Sequence, residues 1–426
     1  MDTQSAATAG DPPAMPHASA LPSSSAKWWI VAAGLIGTTF GASAMTILSF
    51  SIFIRPLEAE FGWTRGQVAF SATVISYTVM LLSPVQGFLT DRYGPRRVIL
   101  TSIPLFCLSY AALSLLPADL HLFYAAWVLV TLCGFGIWPV SYNKIAASWF
   151  EHNLGLAIGV VTAGVGIGGT LVPLIGQALI AGYGWRGAFV GLAAIAFAVT
   201  FPTIYLLLRD RPAAARTAGH GVAVPEEGLA FGAVLRTASF WLLAVAFCLL
   251  GIISTGIITH QVPMLIDLGM APQQAVFVQS MFGLWLIVGR LLTGVLLDRF
   301  FAPRVMAVFA ALGVAAFAAY ALGVADWRVF ACSAVMGLIV GAEHDVLGFV
   351  VRRYFGTRCY GRCYGVLFSA FQLGGGAGAL ALGLSRTQLG AYAPGLWGFV
   401  GVTVVIIALF LCLGPYRYTP EARDAH

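Results

Sequence analysis

The sequence predicts an all-α membrane protein of twelve transmembrane helices in two pseudo-symmetric six-helix bundles. Three observations predict this fold class: an apolar composition, apolar runs of membrane-spanning length, and an internal repeat. Of the 426 residues, 59% are hydrophobic and only 9% are charged. Because soluble domains carry about 25% charged residues, this chain has too few of them to cover a water-facing surface.

Apolar runs of about 20 residues, long enough for a helix to cross a hydrocarbon core, recur along the chain. Lipid offers the backbone no hydrogen-bond partner, so these runs are predicted to be helices. We number them spans 1 to 12 in chain order: Trp28–Phe53, Gln67–Leu89, Val98–Leu116, Leu122–Ala147, Gly155–Ile180, Ala188–Leu208, Phe240–Met264, Val276–Leu296, Val305–Val324, Val329–Val351, Gly361–Leu382 and Pro394–Leu413.

Basic residues are concentrated on one side of the predicted membrane. Of the 23 Lys and Arg, 16 fall on the side of the twelve-span prediction that carries the termini and the connections after even-numbered spans, with Arg362 counted at the start of span 11. The positive-inside rule therefore predicts that both termini are cytoplasmic. We call this side the linker face, because it carries the polar connection between spans 6 and 7. The net charge of +6 reflects topology and does not indicate a nucleic-acid partner.

The polar segments divide the chain. Residues 1–27 lack the basic start and apolar middle of a signal peptide and are predicted to form a disordered cytoplasmic tail. The bundles are predicted at 28–208 and 240–413, joined by a cytoplasmic linker at 209–239, with a second tail at 414–426. Most of the seven cysteines are apolar fillers of spans. A metal or disulfide role for Cys359 and Cys363 is the less favoured interpretation.

An internal repeat relates the two halves. A shift of 207 residues superposes Phe61–Val98 on Leu268–Val305 without a gap, with nine of 38 positions identical. A shift of 206 pairs Gly155 and Gly159 with Gly361 and Gly365. Two similar halves suit a carrier that opens to each side in turn around a central site.

The repeated segment also carries a family resemblance. Gly87-Phe-Leu-Thr-Asp91-Arg92-Tyr-Gly94-Pro-Arg96-Arg97 resembles the signature loop between helices 2 and 3 of the major facilitator superfamily, and Gly294-Val-Leu-Leu-Asp298-Arg299 resembles its weaker echo. The resemblance, over about residues 28–413, implies that superfamily's fold and a secondary transporter. No nucleophile–base spacing or metal-ligand cluster stands out in the sequence, so neither enzyme activity nor a cofactor is expected. Asp91 can accept hydrogen bonds from the first amides of a neighbouring helix. We therefore expect a gate here; in the alternative, the arginines only fix topology. The gate residues expected are Gly87, Asp91, Arg92, Gly94, Arg97, Asp298 and Arg299.

A closer resemblance concerns the substrate. Residues 54–66 and 149–155 resemble the monocarboxylate-porter and oxalate:formate-antiporter branch, which favours organic anions. In that branch an arginine four residues before the helix 8 motif glycine engages the substrate carboxylate, and Arg290 has this position relative to Gly294. A charge at mid-helix costs about 2.5–3.5 kcal/mol, and a guanidinium can bind a carboxylate bidentately. The alternative is a structural ion pair with span 10.

Proton coupling is expected from Glu343 or Asp345 of span 10, with His260 as a further candidate; a static pair with Arg290 or Arg352 is the alternative. The chain lacks the acidic residue that the monocarboxylate porters carry one turn before the helix 8 arginine; Leu286 stands there. Spans 1 and 11 contain no lysine, which argues against a dianionic substrate. Lys144 is expected to extend toward the linker face. Further cavity-lining candidates are Tyr77, Trp138, Tyr142, Asn143, Thr39 and Gln372.

The function predicted is proton-coupled uptake of a small organic monocarboxylate by alternating access. The partners expected are a small organic anion, a proton and the lipid bilayer, with a monomeric protein in a bacterial inner membrane. The alternative is an exporter or antiporter of a drug, siderophore or metabolite. A non-transporting sensor is a third class, which would bind solute without accumulating it.

Overall fold

The computed structural model describes residues 24–210 and 228–418, and most of these residues are helical. Ten helices in this part of the chain are long and apolar enough to cross a membrane, and Leu120–Cys133 is a shorter apolar helix. The main helices are Ser24–Thr39, Ser51–Phe61, Arg65–Tyr93, Pro95–Ala112, Leu120–Cys133, Pro139–Trp149, Leu154–Leu207, Ala238–Asp267, Pro272–Arg299, Ala302–Ala321, Arg328–Phe355, Tyr360–Leu389 and Ala393–Leu411.

Spans 5 and 6 are two helices within Leu154–Leu207, and the chain reverses direction between them at Gly184, whose backbone is not helical. This residue has φ +69°, in the left-handed region that glycine adopts without strain. A Cβ added at Gly176 would contact Leu192, and one added at Gly191 would contact Leu179. These contacts on either side of the reversal show an antiparallel pair of spans. When Leu154–Leu207 is counted as two spans and the two pieces of span 4 are counted as one, the twelve-span prediction is confirmed.

Span 4 is not the single helix that the sequence predicts over Leu122–Ala147. It consists of Leu120–Cys133, a 3-10 turn over Phe135–Ile137, and Pro139–Trp149. A Cβ at Gly136 would overlap the Ser102 hydroxyl, so this glycine permits close contact with span 3. Pro139 has no amide hydrogen and therefore begins a new helix instead of continuing the old one.

Span 1 also departs from its predicted boundaries. A π-helical turn, Ser43–Leu48, interrupts it, and helix Ser51–Phe61 extends it beyond the predicted end at Phe53. Thr46 and Ser49 donate hydrogen bonds to carbonyls four or five residues earlier, which is typical of hydroxyls that perturb a helix. The helix begins at Ser24, inside the predicted tail. The remainder of that tail, residues 211–227 of the linker and residues 419–426 lie outside the described residues.

The halves pack with matching neighbours. Span 1 packs on span 5 in the first half and span 7 packs on span 11 in the second. Between the halves, span 2 packs on span 11 and span 5 packs on span 8. These two cross-bundle pairs correspond to each other under the sequence repeat. They bring the ends of spans 2 and 8 against the first turns of spans 11 and 5 at the linker face.

Candidate functional site: two linker-face latches and a buried charge cluster

Asp91 connects the bundles at the linker face. Its two carboxylate oxygens accept hydrogen bonds from the amides of Gly361 and Arg362, at 2.9 and 3.0 Å. Amides in the first turn of a helix have no partner within that helix, so an anion stabilises them. A Cβ at Gly87 would overlap the Gly361 carbonyl, so the close approach of spans 2 and 11 requires glycine. We call Asp91, Gly361 and Arg362 the first latch.

Asp298 makes the equivalent contact in the other direction. Its carboxylate accepts hydrogen bonds from the amides of Gly155 and Leu156, in the first turn of span 5, at 2.8 and 2.9 Å. A Cβ at Gly294 would lie 2.7 Å from the Gly155 carbonyl oxygen. We call Asp298, Gly155 and Leu156 the second latch. With both latches made, the bundles are closed against each other at the linker face.

Lys144 is a partner of the first latch. The sequence interpretation places its ammonium toward the linker-face water, but the side chain is only 12% exposed. Its Nζ lies 2.6 Å from Asp91 Oδ1 and 2.8 Å from the Thr90 carbonyl oxygen. The signal that could identify this pair is depth: both residues lie within two turns of the linker-face end of their helices. Sequence separation alone gives no such indication.

The remaining gate candidates lie around the first latch or at the surface. Arg92, Arg97 and Arg299 are exposed, and the guanidinium of Arg92 lies 5.4 Å from the ring centre of Tyr93. Gly94 ends helix Arg65–Tyr93 at φ +84°. A Cβ at that position would lie 2.8 Å from the Asp210 carboxylate.

Arg290 is buried between the two bundles, with 6% of its surface exposed. It lies nine residues from the linker-face end of its helix, which corresponds to a depth of about 14 Å. Its Nη1 is 3.6 Å from Asp345 Oδ1. Thr162 of the other bundle donates a 2.5 Å hydrogen bond to the same oxygen. Neither Arg290 Nε nor Asp345 Oδ2 has a hydrogen-bond partner among the described residues.

Glu343 lies on a different side of span 10. Its Oε2 accepts a 2.6 Å hydrogen bond from Ser254 of span 7, and the His344 Nδ1 atom lies 3.6 Å from its Oε1. His344 packs edge-on against Phe371, with ring centres 5.1 Å apart. All of these groups belong to the second bundle. Asp345 therefore contacts both bundles, whereas the described contacts of Glu343 lie within one.

Four other candidates, from spans 1 and 4, lie in the first bundle. Asn143 donates a long hydrogen bond (3.4 Å) to the Tyr364 hydroxyl across the two bundles. Tyr142 is buried against Gly37 of span 1, and Trp138 is buried in span 4. Thr39 donates a hydrogen bond to the Leu35 carbonyl of its own helix.

Three candidates lie farther toward the opposite face or at the bundle boundary. The hydroxyl of Tyr77, which is 48% exposed, would lie 3.3 Å from a Cβ at Gly376 of span 11. Gln372 is half-buried in the same span. His260 lies 2.9 Å from the Ala379 carbonyl oxygen and 3.4 Å from the Tyr392 hydroxyl, in the second bundle.

Two hydroxyl partners of the carboxylates were not identified from the sequence. Thr162 and Ser254 bind Asp345 and Glu343, but neither belongs to a charged group or a recognisable motif. Hydroxyls in membrane helices usually bond to their own backbone, and the Thr162 hydroxyl oxygen also lies 2.9 Å from the Ile158 carbonyl oxygen. Only the packing of spans 5, 7 and 10 indicates their second role.

Comparison with known proteins agrees with this architecture. The model of the Major Facilitator Superfamily matches residues 34–379. The uncharacterized MFS-type transporter YhjX of Escherichia coli is 28% identical over 355 residues, covering 81% of this chain and 85% of that protein. Monocarboxylate transporter 13 of Bos taurus is 27% identical over 355 residues, covering 81% and 79%.

A solved structure shows the same fold. The fucose:proton symporter FucP of E. coli superposes with a TM-score of 0.68 at 17% identity, over 90% of this chain and 98% of that chain. The family match, the twelve spans and the two latches agree with one another. This multi-span membrane protein therefore belongs to the Major Facilitator Superfamily of transporters.

Proposed function

We propose that the protein is a proton-coupled symporter that imports a small organic monocarboxylate by alternating access. The observation that carries this proposal is the Arg290 guanidinium, which lies buried between the bundles beside Asp345, and whose Nε has no hydrogen-bond partner within residues 24–210 and 228–418. A planar guanidinium with a donor to spare can bind a carboxylate bidentately. The likeness to monocarboxylate transporter 13 supports the same class of substrate.

Charge balance links the anion to the proton. Arg290 and Asp345 together are neutral, so a carboxylate that enters between them would leave one uncompensated negative charge in a low-dielectric site. Protonation of Asp345 restores neutrality and frees Arg290 for the substrate. Asp345 suits this role better than Glu343 because it contacts both Arg290 and Thr162 of the opposite bundle.

The same balance limits the substrate to one negative charge. Lys144 is engaged by Asp91 near the linker face and is not available at the depth of Arg290. A dianion would therefore lack a second buried cation. His344, which lies between Glu343 and Asp345 in the sequence, packs against Phe368 and Phe371, so the neighbourhood of the acids offers aromatic surface to an aliphatic or aromatic substrate body.

Formation and release of the two latches would accompany the change between the two open conformations of alternating access. With both made, the linker face is closed and the site would communicate with the opposite face. Release of the Asp91 and Asp298 hydrogen bonds would open the linker face to the cytoplasm. The distribution of Lys and Arg supports cytoplasmic termini, and we infer a monomeric carrier in a bacterial inner membrane.

Uptake by reconstituted vesicles under an imposed pH gradient tests the proposal. We expect accumulation of at least one of radiolabelled acetate, lactate, pyruvate or benzoate, and none of oxalate or succinate. Arg290→Ala should abolish that accumulation while the protein still inserts, because the carboxylate loses the guanidinium that would bind it. Near-normal uptake by this variant would refute the role of Arg290. An exporter would instead deplete preloaded vesicles, and a sensor would bind without accumulation.

A further inference from the structure

Two cysteines lie together where span 11 begins. The Sγ atoms of Cys359 and Cys363 are 3.3 Å apart, and both residues are buried. A spacing of four residues places both side chains on one face of a helix, with the Cα atoms about 6 Å apart. That separation lies within the range that a disulfide spans. A sulfur displacement of about 1 Å would bring the two atoms to bonding distance.

The same turn of helix forms the first latch. Cys359 precedes helix Tyr360–Leu389, and the amides of Gly361 and Arg362 bind Asp91. On its other side, Cys359 donates a hydrogen bond to the Leu229 carbonyl at 3.2 Å. The thiol pair is therefore enclosed between the first latch and the end of the linker.

We propose that Cys359 and Cys363 form a dithiol modification site that a peroxide closes into a disulfide and that a trivalent arsenical bridges. Its rate of reaction depends on the opening of the first latch. Because both thiols are buried, a reagent reaches them only when the first turn of span 11 opens locally. The hydrogen bonds to Asp91 oppose that opening. The site would consequently react faster whenever the latch is released.

The chemistry starts at Cys359. The hydrogen bond from the Cys363 thiol lowers the pKa of Cys359, and the thiolate is the reactive form. Its sulfur attacks one oxygen of hydrogen peroxide and the O–O bond breaks. The departing hydroxide takes up the proton that Cys359 released and leaves as water, so that Cys359 becomes a sulfenic acid.

Cys363 completes the reaction. Its sulfur attacks the Cys359 sulfur, the S–O bond breaks, and a second water leaves with the Cys363 proton. The two thiols lose two electrons, which the peroxide gains. With phenylarsine oxide, both sulfurs bind the arsenic atom and the oxide oxygen leaves as water with the two thiol protons.

Intact-protein mass spectrometry of the purified full-length chain tests the site. After peroxide, we expect the wild type to lose the mass of two hydrogen atoms, and one phenylarsine oxide to block this loss. Cys359→Ser and Cys363→Ser should show neither effect, whereas the control Cys412→Ser, which changes an exposed cysteine, should behave as the wild type. An unchanged wild-type mass, or the same changes in Cys359→Ser, would overturn the proposal.

A second measurement tests the link to the latch. Asp91→Asn weakens the hydrogen bonds that hold the first turn of span 11, so oxidation should be about tenfold faster. The matched control Asp298→Asn weakens the second latch, on span 5, and should accelerate oxidation less. Equal rates in wild type and Asp91→Asn would show that the latch does not control the site.

Discussion

At the scale of single residues, the central feature is a carboxylate shared by two partners from different bundles. Asp345 Oδ1 lies near the Arg290 guanidinium and accepts a hydrogen bond from the Thr162 hydroxyl. A movement of one bundle against the other changes this environment. The neighbouring Glu343 binds Ser254 within its own bundle and would be carried along with its partner. These contacts lead to different expectations for the two acids.

Asp345→Asn should abolish proton-driven accumulation, because asparagine keeps the shape of a protonated Asp345 but cannot lose a proton. Exchange of labelled for unlabelled substrate across the membrane should persist, since Arg290 remains available to the anion. Counterflow and gradient-driven uptake measure the two activities. The control Glu343→Gln should retain coupling. Loss of coupling in Glu343→Gln alone would transfer the proton role to that residue.

Lys144→Met should weaken the linker-closed conformation by about 1.5–3 kcal/mol, since a hydrogen bond between charged groups is lost at a site where Asp91 is nearly buried. The thermal unfolding temperature and the initial uptake rate should both fall. Lys144→Arg serves as the charge-preserving control. In the double variant Asp91→Asn/Lys144→Met, the Lys144→Met substitution should lower the unfolding temperature much less than it does in the wild type. Additive losses would indicate that the two side chains act independently.

At the scale of helices, glycines determine how closely the bundles approach. Spans 2 and 11 meet where Gly87 faces the Gly361 carbonyl, and spans 5 and 8 meet where Gly294 faces Gly155. These are backbone contacts, which cannot yield by rotation of a side chain. Close approach is what brings each aspartate to the first turn of the facing helix. The glycines and the aspartates of the repeated motif are thus two parts of one contact.

Gly87→Ala should shift the protein toward the conformation that is open at the linker face. Overpacking of a close contact typically costs about 1–3 kcal/mol, and here that cost falls only on the closed conformation. Oxidation or alkylation of residues at the linker face should accelerate, and initial uptake should fall. Gly398→Ala is a suitable control, because a Cβ there meets no atom within 4 Å. Equal effects of the two substitutions would contradict this account.

At the scale of the whole molecule, the two latches lie at one face, and Arg290 lies about 12 Å deeper than Asp298 along the same helix. The arrangement is symmetric in the helices but not in the charges. Asp91 has Lys144 as an additional partner, while Asp298 binds amides of span 5. The second bundle alone supplies Arg290, Glu343 and Asp345. The repeat thus provides the scaffold, and one half provides the charged groups.

Uptake should rise as the external pH falls, because each imported anion is accompanied by a proton moving down its gradient. A protonophore should abolish accumulation in vesicles with an imposed pH gradient. Uptake is measured for the wild type and for Arg290→Ala in parallel. The difference between them separates carrier-mediated uptake from passive diffusion of the undissociated acid. Accumulation that is unaffected by both external pH and protonophore would exclude proton symport.

Several features followed from the sequence alone. Hydropathy over about 20 residues identified the spans, and the repeat correctly related Asp91 to Asp298 and Gly155 to Gly361. Both signals are encoded locally, because the membrane requires an apolar helix wherever the chain crosses it. The fold class and the superfamily are confirmed for this reason. The continuity of span 4 was predicted incorrectly, since Gly136 is needed for a contact with another helix.

Only the tertiary structure decided which charged groups meet. Lys144 and Asp91 are 53 residues apart, and Thr162 and Asp345 are 183 apart. Hydropathy and helical periodicity indicate on which face of its helix a residue lies. They do not give its distance from a residue of another helix. Packing of the bundles placed Asp345 at their interface and Glu343 inside one of them. Neighbouring positions on a single helix consequently acquired different partners, because successive residues point about 100° apart.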